Sequence, residues 1–127
     1  MYQSLTIFQN ARAMAEHAGR AQAATAQNLA NADTPGYRAI AMPDFEAALA
    51  GARGFELRAT RPAHLFGQSP GRPADYLVRD TAVDPNGNSV SIETEMVAAA
   101  SAKGAHDRAL AIYRSGLSIL RASLGRR

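Results

Sequence analysis

The 127-residue sequence has no cysteine and no tryptophan, and only 6% of its residues are aromatic. The lack of cysteine excludes a disulfide framework, a thiolate zinc site, an iron–sulfur cluster and a cysteine nucleophile. Apolar residues make up 46% of the chain, but alanine is the commonest of them, and small side chains bury little area each. The length is typical of one domain, and we expect its core to be small.

Nearly all of the basic residues are arginines, since Lys103 is the only lysine among the 14 lysines and arginines. The net charge is +3, but the arginines are scattered and only Arg126 and Arg127 are adjacent. The chain therefore lacks the basic tract that is typical of a nucleic-acid or anionic-lipid site. It also lacks a run of about 20 apolar residues, and residues 1–8 do not resemble a cleaved secretion signal. We expect neither a membrane span nor a processed leader.

All six prolines lie within residues 33–91, which leaves residues 1–32 and 92–127 free to form long helices. Apolar or small residues recur in the first segment with the three- and four-residue spacing of a heptad seam: Phe8, Ala11, Ala15, Ala18, Thr25, Leu29 and Ala32, with Gln22 as the polar exception. We predict one structural unit with a mainly α fold. Long N- and C-terminal helices form its coiled-coil-like pair, and residues 33–91 form a loop-rich middle segment with short strands.

The C-terminal helix carries two stripes at this spacing. The first contains the larger residues: Ile92, Met96, Ala99, Lys103, His106, Leu110, Tyr113, Leu117, Leu120 and Leu124. The second contains mostly small ones: Ala98, Ala102, Ala105, Ala109, Ile112, Gly116 and Ile119. Alanine alone needs no burial, since it is the best helix former, but Gly104 and Gly116 each cost a helix about 1 kcal/mol. We take them to indicate close approach by another backbone.

A helix hairpin would cover one face of the C-terminal helix, so we predict that the other face contacts a different chain. The predicted assembly faces are the small-residue stripe together with Leu110, Tyr113, Leu117 and Leu120 of the first stripe. In the middle segment, residues 43–49 have the pattern of a short helix, and residues 55–59, 76–78 and 89–92 alternate like short strands. Residues 84–88 form a strong turn signal, and residues 67–74 predict a loop.

No set of residues indicates catalysis. His17, His64 and His106 are far apart and lack metal-ligand spacing. Glu93 and Glu95 are two residues apart and would point to different helix faces, so we interpret them as charges that complement the helix N-terminus. We therefore predict no enzyme activity, no metal, no cofactor and no small-molecule substrate.

The most specific string is Asn28-Leu29-Ala30-Asn31-Ala32-Asp33-Thr34-Pro35-Gly36-Tyr37. It predicts a helix stop, in which the amides of Asn28 and Asn31 reach the last free carbonyls of the helix. Thr34 is held extended by the following proline, and Pro35-Gly36 suits the centre of a type II turn, with Gly36 at positive φ.

This string resembles the N-terminal signature of bacterial flagellar rod and hook proteins. Further segments are similar to that family in the same order: residues 44–46, residues 59–64, the Asn-Gly-Asn-Ser-Val string at 86–90, and the glutamates at 93 and 95. The resemblance covers essentially the whole chain. Departures are His106-Asp107, where the family tends to have an aromatic residue and a glutamine, and the short proline-rich loop at 67–74.

The resemblance implies a structural subunit of the flagellar basal-body rod in the periplasm, which transmits torque and lines an export channel. The partners it implies are copies of the same chain, other rod proteins, the adapter between rod and membrane ring, and the flagellar type III export apparatus. Leu5, Ile7 and Phe8 are then a candidate export element in an exposed N-terminal stretch.

The residues alone leave two other functional classes open. A small basic helical protein could bind nucleic acid, and a steep salt dependence of that binding would be its mark. A periplasmic enzyme acting on peptidoglycan would need a pair of carboxylates, and the sequence offers no such pair.

Overall fold

The computed structural model describes residues 2–52 and 76–125. In chain order the elements are α1 (Tyr2–Ala30), β1 (Ile40–Ala41), α2 (Phe45–Ala52), β2 (Leu77–Val78) and α3 (Ile92–Ser123). The predicted mainly α fold with long terminal helices is confirmed. The candidate strand at 55–59, the loop at 67–74 and residues 59–64 lie outside the described residues. None of the described helices is long and apolar enough to cross a membrane.

Helices α1 and α3 pack as an antiparallel pair. Near the chain termini, the rings of Phe8 and Tyr113 meet edge to face with their centroids 5.1 Å apart. At the opposite end, Asn28 donates a hydrogen bond to Glu95. Small residues fill the interface between these ends: Ala11, Ala18, Ala24, Ala102 and Ala109 are all buried. Because small side chains occupy the seam, the two backbones can approach closely.

The contact face of α1 departs from the predicted seam near the end of the helix. Leu29 is 49% exposed, whereas Ala24 and Asn28 are buried. The reason is that β1 also packs on this part of α1, and Asn28 is hydrogen-bonded to Ile40. A heptad pattern describes a helix with one partner, and the end of α1 has two.

The small-residue stripe of α3 faces α1, since Ala102 and Ala109 are buried. In the larger-residue stripe, Leu110, Leu117 and Leu120 are half-buried, while Met96 is 64% exposed. Gly116 faces the ring of Phe8, from which a β-carbon would lie only 3.1 Å away.

Within the described residues, no other backbone approaches the two helix glycines, and approach by a different chain stays a prediction. Gly116 accommodates an aromatic ring, and the nearest atom to a β-carbon at Gly104 belongs to Arg108 of the same helix.

The middle segment forms one antiparallel strand pair, in which Ile40 pairs with Val78 and Ala41 with Leu77. The predicted strand at 76–78 is thus found at β2, and the predicted short helix at 43–49 corresponds to α2. The predicted strand at 89–92 is wrong. Val90 N–H bonds to the side chain of Asn88 rather than to a neighbouring strand, and Ile92 already begins α3.

The burial of Ala102 gives a first prediction. Ala102→Leu keeps a good helix former but adds volume to a filled interface, so we expect it to lower the free energy of unfolding by about 1–3 kcal/mol. Met96→Leu, at an exposed position of the same helix, should change it by less than about 0.5 kcal/mol. Urea unfolding followed by far-UV circular dichroism measures both. Equal stability of the two variants would mean that the helices do not pack along the small-residue stripe.

Candidate functional site

The signature at 28–37 ends α1 with two consecutive turns. Asn31 donates from Nδ2 to the carbonyl of Gln27 at 2.8 Å, which is the helix-end role predicted for it. The N–H of Tyr37 then donates to the carbonyl of Thr34 at 3.3 Å, and Gly36 has φ +73°. The predicted turn at Pro35-Gly36 and the positive φ of Gly36 are therefore present in the structure.

Asn28 has a different role from the one predicted. Its side chain is 0% exposed, and it donates from Nδ2 to the carbonyl of Ile40 at 2.7 Å while Oδ1 accepts from the N–H of Ile40 at 3.0 Å. The amide thus holds Ile40 by both backbone groups, much as a neighbouring strand would. The Tyr37 hydroxyl adds a 3.3 Å hydrogen bond to Oδ1. Asn28 fixes the position of β1 on α1 instead of capping the helix.

Glu95 is a buried ion-pair partner. Its side chain is 1% exposed, its Oε1 lies 2.7 Å from the guanidinium of Arg79, and its Oε2 accepts from Asn28 at 3.1 Å. The interpretation of Glu95 as a helix-end charge missed this role. A signal was available, because Glu95 continues the small-residue stripe of Ala98 and Ala102 by one step and so falls on the buried face.

Glu93 does behave as a helix-end charge. Its pKa lies below the usual value of a glutamate because its own backbone N–H and the Ser91 hydroxyl both donate to the carboxylate. Ionised oxygen at the start of a helix is stabilised by the free N–H groups there.

Asn88 caps α1 from a distant part of the chain. Its side-chain amide, which is buried, shares its two N–H donors among the carbonyls of Asn31, Ala32 and Thr34, at Nδ2–oxygen distances of 3.0, 2.7 and 2.9 Å. Its Oδ1 accepts from the N–H of Val90 at 2.8 Å. From the sequence, Asn88 is predicted only as part of a turn, and this long-range contact is not. The carbonyls of Asn31 and Thr34 also accept from the N–H groups of Thr34 and Tyr37, so Asn88 adds a second bond to each of them and supplies the partner described for Ala32. The end of α1 is thus tied to the segment that leads into α3.

Two glycines allow the turns to meet. Gly87 has φ +82°, and a β-carbon there would lie 3.2 Å from the α-carbon of Gly36. The N–H of Gly36 donates to the carbonyl of Asn86 at 3.1 Å, and a 2.8 Å hydrogen bond from Gly87 N–H to Asp84 closes the second turn. A side chain at Gly87 would press on the backbone of Gly36 and separate the two turns, whereas Gly36 is favoured by its positive φ alone.

We call residues 28–37 and 84–90, with Arg79 and Glu95, the turn cluster. Ser89 completes it, since its N–H donates to Tyr37 and its Oγ accepts from the N–H of Ala39. Within residues 2–52 and 76–125, no buried side-chain nitrogen or oxygen lacks a hydrogen-bond partner. The same residues include no group of three histidine, cysteine or carboxylate side chains that could hold a metal ion. The turn cluster is therefore a structural junction of polar groups that are already paired.

Residues 11–38 match the family model described as the flagella basal body rod protein. The match contains the complete signature and most of α1, and it supports a structural role in the basal-body rod. The flagellar rod family is a structural family and is not a class of enzymes. No curated protein matches the chain.

The rod-family signature presents some of its residues outward. Leu29, Asp33 and Pro35 are exposed, whereas Asn28 is enclosed by the rest of the chain. On α3, the candidate assembly residues divide in the same way. Ala102 and Ala109 are buried in the helix pair, and Ala98, Ala105 and Gly116 are partly covered, while Ile112, Tyr113 and Ile119 are 45%, 41% and 66% exposed.

The candidate export element lies within α1. Ile7 is 48% exposed, but Phe8 is half-buried against Gly116 and Tyr113 of α3. Leu5 belongs to the same helix. The N-terminal stretch is thus part of the helix pair, and Phe8 is accessible in full only when that pair opens.

The contact between Gly36 and Gly87 gives a second prediction. Gly87→Val places a β-branched side chain at positive φ and against the backbone of Gly36, 3.2 Å from its would-be β-carbon, so we expect a loss of about 2 kcal/mol in stability. Gly125→Val is the matched control, because Gly125 also has positive φ but has no described atom near its would-be β-carbon. Chemical unfolding of both variants tests this. If Gly87→Val were no worse than Gly125→Val, the two turns would not depend on their close approach at Gly87.

Proposed function

We propose that this protein is a structural subunit of the flagellar basal-body rod, and specifically that it resembles the proximal rod protein FlgB. The observation that carries the proposal is the turn cluster. Residues of the rod-family signature are joined there to the Asn-Gly-Asn-Ser-Val segment at 86–90. Two motifs that resemble the same family, from opposite halves of the chain, thus form one junction.

The junction suits a subunit that transmits force. Helix α3 has 32 residues and is roughly 48 Å long. The turn cluster ties its start to the end of α1 through buried hydrogen bonds, and the Arg79–Glu95 ion pair ties it to the segment after β2. Twisting such a subunit requires these contacts to break together rather than one by one. Exposed apolar residues on α3 then supply surfaces for further copies and for other rod proteins.

The remaining parts of the proposal concern location and delivery. We infer a periplasmic rod whose inner helix layer lines the export channel, with the membrane-ring adapter and the type III export apparatus as further partners. The position of Phe8 supports export of the chain before α1 and α3 pair, because the Phe8 ring is half-buried against α3 once the helices have paired. No nucleic acid, cofactor or small-molecule substrate has a part in this function.

The test is genetic complementation with imaging. A strain that lacks the gene receives the chain with an epitope tag in residues 67–74, and basal bodies isolated from it are viewed by electron microscopy with a labelled antibody. We expect restored swimming and label on the rod. Restored swimming with label elsewhere, or absence of complementation by the untagged chain, would contradict the proposed function.

A further inference from the structure

Asn86 and Gly87 form the only asparagine–glycine pair of the chain, and they lie in the turn that the Gly87 N–H closes on Asp84. Asn86 is exposed, whereas Asn88 is buried. Asparagine is chemically labile before glycine, because a residue without a β-carbon lets its backbone nitrogen approach the neighbouring side-chain amide. The other asparagines of the chain precede alanine, leucine or serine.

Succinimide formation is the reaction to which such a pair is prone. The glycine nitrogen gives up its proton and forms a bond to Cγ of the asparagine, the Cγ–Nδ2 bond breaks, and Nδ2 leaves with that proton as ammonia. Water then opens the ring in one of two ways. Breaking the bond between the glycine nitrogen and Cγ gives aspartate, and breaking the bond to the former backbone carbonyl carbon gives isoaspartate.

The closed turn cluster restrains each group that takes part. The N–H of Gly87 donates to the carbonyl of Asp84 at 2.8 Å, which holds the proton on the nitrogen. Oδ1 of Asn86 accepts from the N–H of Asn88 at 2.9 Å, which holds the side chain in one orientation. The backbone carbonyl of Asn86 accepts from the N–H of Gly36 at 3.1 Å. Attack on Cγ therefore requires the turn to open.

We propose that Asn86 is a modification site, at which succinimide formation and hydrolysis produce aspartate and isoaspartate in chains whose turn cluster has opened. The sequence consumes water and releases ammonia, and it needs no enzyme. Because this chemistry is slow compared with the opening and closing of a turn, its rate follows the fraction of open chains. Asn88 protects its neighbour, since its contacts to three carbonyls hold the cluster closed. The site is a property of the chain itself and does not depend on the proposed function.

The isoaspartate product does not fit the turn cluster. Its link to Gly87 runs through Cγ and is longer by a methylene carbon, and the carbonyl that accepted from Gly36 becomes part of a free carboxylate. The aspartate product keeps the normal backbone, and its side chain still accepts from the N–H of Asn88. Isoaspartate at position 86 thus marks chains that have stayed open, and it prevents them from closing again.

Peptide mapping by mass spectrometry tests the site. The full chain is incubated at mildly alkaline pH with and without denaturing urea, and we expect Asn86 to be converted at least about tenfold faster in urea. In urea, Gly87→Val should slow the conversion at least about tenfold, because its branched side chain hinders the approach of the nitrogen. Equal rates with and without urea, or no conversion in urea, would overturn the proposal.

Two variants without urea link the rate to the turn cluster. Asn88→Ala removes contacts that close the cluster but leaves Asn86 and Gly87 in place, so we expect conversion at least about tenfold faster than in the unchanged chain. Lys103→Met is the matched control, because it breaks an exposed ion pair in the middle of α3, and its rate should equal that of the unchanged chain. Equal rates in the two variants would show that opening of the cluster does not control the chemistry.

Hydrogen exchange tests the consequence. Chains that contain isoaspartate are recognised by labelling with an isoaspartyl methyltransferase and separated from the rest. We expect their Gly36 amide to exchange at least about tenfold faster than that of Asn86→Asp, which reproduces the aspartate product. Asn86→Asp should remain close to the unchanged chain. Equal protection of Gly36 in both would mean that the turn cluster tolerates isoaspartate, and the marking of open chains would be wrong.

Discussion

Replacing Arg79 with methionine is expected to lower the free energy of unfolding by about 3 kcal/mol or more. The reason is that the Glu95 carboxylate, which is 1% exposed, keeps its bond to Asn28 but loses its only cationic partner among the described residues. A buried charge without its partner typically costs 3–5 kcal/mol, far more than an exposed pair contributes. Urea unfolding followed by circular dichroism measures the loss.

Two controls separate burial of the charge from loss of contacts. Lys103→Met breaks the exposed Lys103–Asp107 pair and should cost less than about 1 kcal/mol. The double variant Arg79→Met/Glu95→Gln removes both charges, and it should be more stable than Arg79→Met alone, since no buried charge is left unpaired. If the double variant were less stable than Arg79→Met, the ion pair would not be the cause.

The long helices could be predicted from the sequence because their signals are local. Absence of proline, three- and four-residue spacing and the charges at the ends of α3 all lie within the helices themselves. The turn at Pro35-Gly36 was predictable for the same reason, since its chemistry depends on adjacent residues. The burial of the end of α1 by β1 was not predictable, because it depends on where residues 40 and 41 pack against the helix.

The hydrogen bonds and ion pair within the turn cluster could not be predicted from neighbouring residues in the sequence. Asn28 and Glu95 are 67 positions apart, and Asn88 caps carbonyls that lie 54 to 57 positions earlier in the chain. An asparagine in a turn has the same appearance whether its amide faces solvent or a helix end. For Glu95 the helical stripe gave a usable signal, but the glutamate could equally have complemented the helix dipole. The resemblance marked these residues as members of shared motifs without showing that they touch.

Asn88→Ala should be as damaging as the loss of Arg79, with an expected cost of about 3–5 kcal/mol. It removes one side chain that serves three carbonyls and one N–H, in a region where the asparagine is 1% exposed. The Ala32 carbonyl and the Val90 N–H lose the partner described for them, whereas the carbonyls of Asn31 and Thr34 keep backbone N–H partners. Each buried polar group left without a partner costs about 1–3 kcal/mol, and water that enters the vacated space offsets part of the sum. The end of α1 and the start of α3 should therefore separate before the rest of the helix pair.

Hydrogen exchange can show that order of events. In Asn88→Ala we expect the amides of Thr34, Gly36 and Ser89 to exchange faster, while those in the middle of α1 keep most of their protection. Asn86→Ala is the matched control, because the Asn86 side chain accepts one hydrogen bond, from the N–H of Asn88, and its loss should cost about 1 kcal/mol. Equal costs for the two variants would show that capping by Asn88 adds nothing beyond the turn. Asn88→Asp gives a further test: its carboxylate still accepts from Val90 but cannot donate to the three carbonyls and repels them, so a variant as stable as the unchanged chain would show that the donated hydrogen bonds contribute nothing.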